Sequence, residues 1–184
     1  LLTAFKSDAK ALAAIRALTK DRIVPAILEF LDDETVLCAE RRTGKPFFPG
    51  VGTTPMVLLE LDGYKESLER DRKKVLAWAK ERGLQFSETY DDEEAEQLWA
   101  VRRQSSPAMY ELGNTKLNED IVVPLRKTAH LIRFVNQLKK ETGLAIPTFG
   151  HAADGNFHVN IMFNRGDKKQ ERIAEKAVVT MVLK

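Results

Sequence analysis

His151 and His158 are the residues whose types and spacing most directly suggest chemistry. They stand in the run His151-Ala152-Ala153-Asp154-Gly155-Asn156-Phe157-His158-Val159-Asn160. Asp154-Gly155-Asn156 is strong turn chemistry with apolar runs on both sides, so the two imidazoles are expected to leave adjacent strands beside one tight connection. Imidazole nitrogens ligate zinc, manganese or iron, and two of them leave positions on the ion open to a substrate oxygen. The same spacing also describes two polar residues that merely flank a turn. Asp154 is a third potential ligand, but its expected role, like that of Asn156, is to shape the turn.

The elements that must position these residues follow from periodicity and punctuation. Leu1 to Phe5 reads as a strand, and Ser7 or Asp8 can cap a helix with Ala11, Leu12, Ile15 and Leu18 on one face. Pro25 to Leu31 reads as a strand, 32–42 is mildly helical, 44–50 is a loop, and Met56 to Leu61 is a strand. Tyr64 to Arg82 is a helix stopped by Gly83, and Gln85 to Thr89 a short strand. Asp91 and Asp92 favour a helix start, and that helix is expected to run to about Ser105, where Pro107 interrupts it. Asp120 to Val123 is a strand, Lys127 to Thr142 an amphipathic helix, and the strands Ala145 to Phe149 and Phe157 to Phe163 bracket a loop holding His151. Asp167 to Leu183 is the last helix. The alternation predicts an α+β fold of ferredoxin-like antiparallel sheets with helices packed on one face, two such units in series. Trp78 and Trp99 fall at core spacing, and His130 is expected to be a partly exposed helix residue.

Composition narrows the function classes. With 184 residues and 43% hydrophobic content, the chain can bury a core. Its 29 basic and 27 acidic residues are interleaved, which gives no one-sided field for nucleic acid. Cys38 is the only cysteine, so an intrachain disulfide and a thiolate metal cluster are excluded and a reducing, cytoplasmic setting is expected. No run approaches the roughly 20 apolar residues of a membrane span. The apolar opening at Leu1 and the close inside a helical pattern read as the ends of a fragment, expected to be one C-terminal substrate-binding domain over 1–184.

The run Gly150 to Asn160, GHAADGNFHVN, resembles the GHxGDGNxHxN signature in the C-terminal domain of FAD-linked oxidases, the group of glycolate oxidase, D-lactate dehydrogenase and D-2-hydroxyglutarate dehydrogenase. Further similarities are Pro25, Glu29 and Asp32 in PAILEFLD, the stretch Leu98-Trp99-Ala100-Val101-Arg102, and Glu119 to Pro124. The resemblance implies that His151 and His158 ligate a divalent metal such as Zn, Mn or Fe, that Asn160 touches the substrate, and that Arg102 grips its carboxylate. Ser106 falls where one branch of the family has a substrate-contacting hydroxyl. A guanidinium fork matches a carboxylate, and the i to i+4 spacing puts Ser106 on the helix face of Arg102. Glu29 and Asp32 read as structural residues at a strand end.

Two departures stand out. Ala153 replaces a glycine usual in the family, which narrows the backbone conformations open to the turn. A lysine that one branch uses for substrate aligns near Asn118, with Lys116 two residues away. The family's FAD-binding domain and a final strand carrying a Glu-His pair are not among these residues. The expectation is part of an FAD-dependent enzyme that oxidises a 2-hydroxy acid to the 2-oxo acid. Its partners would be a small 2-hydroxy acid, an electron-acceptor protein or quinone, and a second copy of itself in a homo-oligomer. The alternative from another class is a non-catalytic ferredoxin-like ligand-binding or interaction module; a metal-dependent hydrolase is disfavoured because no nucleophile or carboxylate pair accompanies the histidines.

Overall fold

Alternating burial along the strands builds one sheet with two covered faces. The computed structural model describes residues 1–89 and 91–183, and within them all side chains except those of residues 19, 92, 97 and 101. The strands are β1 (Leu2–Ala4), β2 (Ile27–Leu31), β3 (Met56–Glu60), β4 (Gln85–Ser87), β5 (Thr115–Val122), β6 (Thr148–His151) and β7 (Asn156–Phe163). The helices are α1 (Asp8–Lys20), α2 (Asp33–Thr43), α3 (Lys65–Glu81), α4 (Asp92–Ala108), α5 (Thr128–Thr142) and α6 (Lys168–Val182). All seven strands form a single sheet in the order β4-β1-β3-β2-β6-β7-β5, every pair antiparallel. The α+β class and antiparallel pairing are as expected, but the two halves share this one sheet.

The expected confinement of helices to one face does not hold. Leu28, Phe30, Val57, Leu59, Phe157, Val159 and Ile161 point to the face packed by α1, α3, α5 and α6. Their strand neighbours Leu31, Met56, Leu58, Phe149 and Met162 point the other way, into a smaller cluster with Val36 of α2 and Leu98 and Trp99 of α4. Successive strand side chains alternate between faces, so apolar residues at both parities require cover on both sides. The smaller, second face carries the candidate site.

Several boundaries also differ. Helix α4 continues through Pro107 to Ala108 and passes into a 3-10 turn at Met109–Glu111. The proline costs one backbone hydrogen bond near the helix end, and complete burial of Ala108 and Met109 offsets it. Asp91 caps α4 as expected, its side chain accepting from the Glu94 N–H at 2.8 Å, whereas the Asp92 side chain lies outside those described. Strand β5 begins at Thr115 instead of Asp120: its polar alternation, typical of an edge strand with one face wet, hid its first half. His151 is the last residue of β6 itself, not part of a loop.

Asp32 fixes β6 relative to β2 and α2. Fully buried, it caps α2 by accepting from the Thr35 N–H at 2.8 Å and also accepts from the Thr148 N–H at 2.9 Å and from Lys139 Nζ at 2.9 Å. Burial alone would lower the Lys139 pKa, but the carboxylates of Asp32 and Glu34 around it raise it above the ordinary lysine value. The strand that ends in His151 is thereby tied at its first residue to a buried charge network.

Candidate active site

The connection from β6 to β7 is shaped by close backbone approach. Gly150 lies flat against β7, where a Cβ would come within 2.2 Å of the Asn156 carbonyl oxygen. Gly155 has φ +80°, and a Cβ there would meet the Val123 carbonyl oxygen at 2.0 Å. Both positions exclude any side chain. Asp154 forms the turn as expected, its Oδ1 accepting from the Asn156 N–H at 3.0 Å. Ala153 is not among the residues with positive φ, so the alanine departure leaves the turn unstrained.

The turn sets the two histidines side by side, ring centroids 6.2 Å apart and edge to face. Each Nδ1 meets a carboxylate: His151 pairs with Glu29 Oε1, and His158 with Asp120 Oδ1 at 2.5 Å. A carboxylate accepts, so in each pair Nδ1 donates, and the neutral form of each ring has its lone pair on Nε2. Metal-bound histidines are commonly held in this way, one ring nitrogen on a carboxylate and the other free for the ion. The donor set therefore fits two ligands to a divalent ion. Among the described residues there is no group of three or more His, Cys, Asp or Glu side chains placed to hold a metal ion. Asp120 is held below the usual carboxylate range, first by the hydrogen bond from His158 and then by that from Asn118.

Glu29, read from sequence as a structural strand end, joins the site together. Its side chain is 1% exposed, and while Oε1 meets His151, Oε2 accepts from Arg102 Nε at 2.7 Å. It reaches both because β2 pairs with β6 in the register Glu29 opposite His151, and α4 crosses above. Arg102 also lies over the Phe149 ring, 4.3 Å from its centroid, and the His158 ring packs beside the same phenyl at 5.0 Å. The terminal nitrogens of Arg102 have no partner among the described residues, leaving a fork suited to a carboxylate. A cavity of about 510 Å³ is lined by Ile27, Glu29, Trp99, Arg102, His151 and Asp154, among others.

The other expected site residues fall around this cavity and not on its lining. Ser106 accepts from Lys116 Nζ at 2.8 Å, a lysine that also faces the Tyr110 ring. Helical spacing does put Ser106 on the side of Arg102, but Lys116 engages it. Asn160 is fully buried, and its Nδ2 donates to the carbonyls of Pro147 and His158 at 3.2 and 3.1 Å. Its Oδ1 is buried as well and has no partner among the described residues. His130 is exposed on α5, away from the site.

Sequence reasoning missed Glu29 and Trp99. Trp99 lines the cavity and donates from its indole N–H to Glu60 Oε2 at 2.6 Å. The signal that could have exposed Glu29 is a charged residue inside an apolar strand, Ala26-Ile27-Leu28-Glu29-Phe30-Leu31, since a buried carboxylate requires partners.

Comparison with known proteins gives this geometry a context. The model of the family described as FAD linked oxidases, C-terminal domain, matches residues 1–184. The chain is similar to glycolate oxidase subunit GlcD of Bacillus subtilis (strain 168), 31% identical over 182 residues that cover 96% of this chain and 37% of the relative. It is 28% identical to the mitochondrial D-lactate dehydrogenase (cytochrome) of Arabidopsis thaliana, over 81% of this chain and 26% of the relative. The chain thus spans well under half the length of these relatives. Among solved structures, p-cresol methylhydroxylase with substrate bound shares the fold at a TM-score of 0.69 and 12% identity, over 96% of this chain and 41% of that one.

Proposed function

The chain belongs to the family of FAD linked oxidases, C-terminal domain, and from that premise we propose that it forms the substrate-side wall of a flavoprotein that oxidises a small 2-hydroxy acid to the 2-oxo acid. The observation that carries this reading is Glu29 holding Arg102 and His151 together in one cavity. A carboxylate-binding fork and an imidazole with a free lone pair are thereby fixed side by side, the two groups needed to hold a 2-hydroxy acid at both ends.

In the proposed reaction the substrate carboxylate sits on the terminal nitrogens of Arg102, and the C2 hydroxyl lies toward Nε2 of His151 and His158. A general base takes the hydroxyl proton, and the C2 hydrogen leaves as hydride with its electron pair. When bound, FAD, the cofactor that the family implies, would supply the acceptor for that pair, and a divalent ion such as Zn, Mn or Fe held by His151 and His158 would make the hydroxyl more acidic. Glu29 and Asp120 keep the imidazoles in the tautomer that presents Nε2. Asn160 offers Oδ1 as an acceptor, and Ser106 with Lys116 supplies a polar edge. An electron-acceptor protein or quinone would be the partner that takes the electrons onward. The single, unbridged Cys38 suits the reducing cytoplasm, where the enzyme would act as a homo-oligomer; separately, no helix among the described residues is long and apolar enough to cross a membrane.

The test is anaerobic mixing of the intact flavoprotein with glycolate or D-lactate. Bleaching of the flavin with stoichiometric 2-oxo acid is the expected result, and Arg102→Met should raise the substrate concentration required by about 10- to 100-fold, the worth of charge-assisted hydrogen bonds. A flavin that no 2-hydroxy acid bleaches overturns the reading.

A further inference from the structure

We propose that Trp99 sets the length of the substrate: it is a partition between the Arg102–His151 cavity and a larger apolar groove, so that the site takes short 2-hydroxy acids and rejects those with long apolar side chains. This specificity role rests on the functional reading above.

The face of the sheet that carries Glu29 continues across β3, where Glu60 stands opposite Ile27 and Leu58 opposite Glu29. Two hollows adjoin at Trp99, the second reaching from this face past the end of β3 to α3. The first is the cavity of about 510 Å³ that contains Glu29, Arg102 and His151. The second, about 810 Å³, has a wall of leucines, among them Leu58, Leu68, Leu76 and Leu98, and charged side chains, mostly acidic, along the rest of its lining. Its two basic residues, Lys65 and Arg72, are outnumbered by carboxylates, and Arg72 is already paired with Glu69 and Glu88, so this groove suits an aliphatic chain better than a second acid group. Among the described residues, Trp99 is the one that lines both hollows.

Trp99 is held as a wall. Its ring packs partly buried against the apolar cluster of this face, and its N–H is anchored on Glu60 Oε2 at 2.6 Å. An indole fixed at both its apolar body and its polar tip does not swing aside freely. It also stands one helical turn before Arg102 on α4, so a substrate whose carboxylate is on Arg102 has its remaining atoms close to the indole. Beyond C3 or C4, an unbranched chain would meet the ring, and with the ring removed it would enter the groove.

The test uses the intact flavoprotein and the variants Trp99→Ala and Trp99→Leu, the second retaining apolar packing should the first be poorly folded. Flavin reduction is followed with glycolate, D-lactate, 2-hydroxyhexanoate and 2-hydroxyoctanoate, and folding is checked by thermal melting and flavin content. The wild type should favour the two short acids. In the variants the ratio of kcat/KM for long over short acids should rise roughly tenfold or more, the discrimination a few methylenes command in an apolar pocket. A wild type that prefers the long acids, or a ratio unchanged in a folded variant, overturns the inference while leaving 2-hydroxy acid oxidation standing. A wild type whose flavin none of the four acids reduces overturns the functional reading, and the inference falls with it.

Discussion

Replacing Glu29 with glutamine keeps the volume of the side chain and removes the charge that Arg102 and His151 share. The carboxylate is 1% exposed and accepts two hydrogen bonds from basic groups, Arg102 Nε and His151 Nδ1. A glutamine can accept from only one of them and turns an N–H₂ toward the other. Deleting one partner of a buried ion pair costs about 3–5 kcal/mol. Arg102 keeps 18% of its side chain in solvent and rests on Phe149, so we take a loss of about 2–3 kcal/mol, partly screened relative to that range. For a chain of this size that lowers Tm by roughly 4–12 °C. Because Glu29 also sets the rotamer of Arg102 and the tautomer of His151, flavin reduction by a 2-hydroxy acid should slow about tenfold or more beyond any loss of folded protein. Differential scanning fluorimetry and stopped-flow absorbance on the intact flavoprotein measure the two effects. A melting temperature within about 2 °C of the wild type, together with an unchanged reduction rate, would refute the claim that Glu29 organises the site.

Two further perturbations test the scaffold. Gly155→Ala places a Cβ against the Val123 carbonyl at a backbone angle that L residues avoid, and should cost at least about 2 kcal/mol, read as a fall in Tm of about 4–8 °C; Ala153→Gly, at an unstrained position, is the control expected to stay within about 1 kcal/mol of wild type. Asp8 has its carboxyl pKa raised, chiefly by burial and against the hydrogen bond from Asn136. A carboxyl raised in the folded state adds stability below its unfolded pKa and loses it as pH rises through the folded value. Asp8→Asn should therefore raise Tm relative to wild type at pH 7, with the advantage shrinking as pH falls through the raised folded pKa and gone by about pH 4, the unfolded value; a difference independent of pH would show that Asp8 is not penalised by burial.

The parts of this molecule legible in the sequence are those that local patterns specify. The turn at Asp154-Gly155-Asn156, the helix of 128–142 and the apolar strands are encoded in neighbouring residues, and the GHAADGNFHVN run located the two histidines. What local patterns do not encode is register. Glu29 and His151 are 122 positions apart and become partners only because β2 pairs with β6, which no periodicity announces. Lys116 reaching Ser106 likewise required β5 to begin five residues earlier than its β-branched core suggested. The second helical face was hidden because α2 and α4 are rich in charge: α2 buries little more than Thr35, Val36, Cys38 and Ala39, and α4 exposes most of its first two turns. Pro107 was read as a helix end because the burial that compensates it comes from tertiary contacts of Ala108 and Met109.

The most direct test of the central claim is the rate of anaerobic flavin reduction by a 2-hydroxy acid in the intact protein carrying His151→Ala or His158→Ala. Both variants should reduce the flavin at least about 100-fold more slowly than wild type, as expected when a group that handles the reacting proton or its metal is lost. Reduction at the wild-type rate in both would contradict the assignment of these two imidazoles to the reaction.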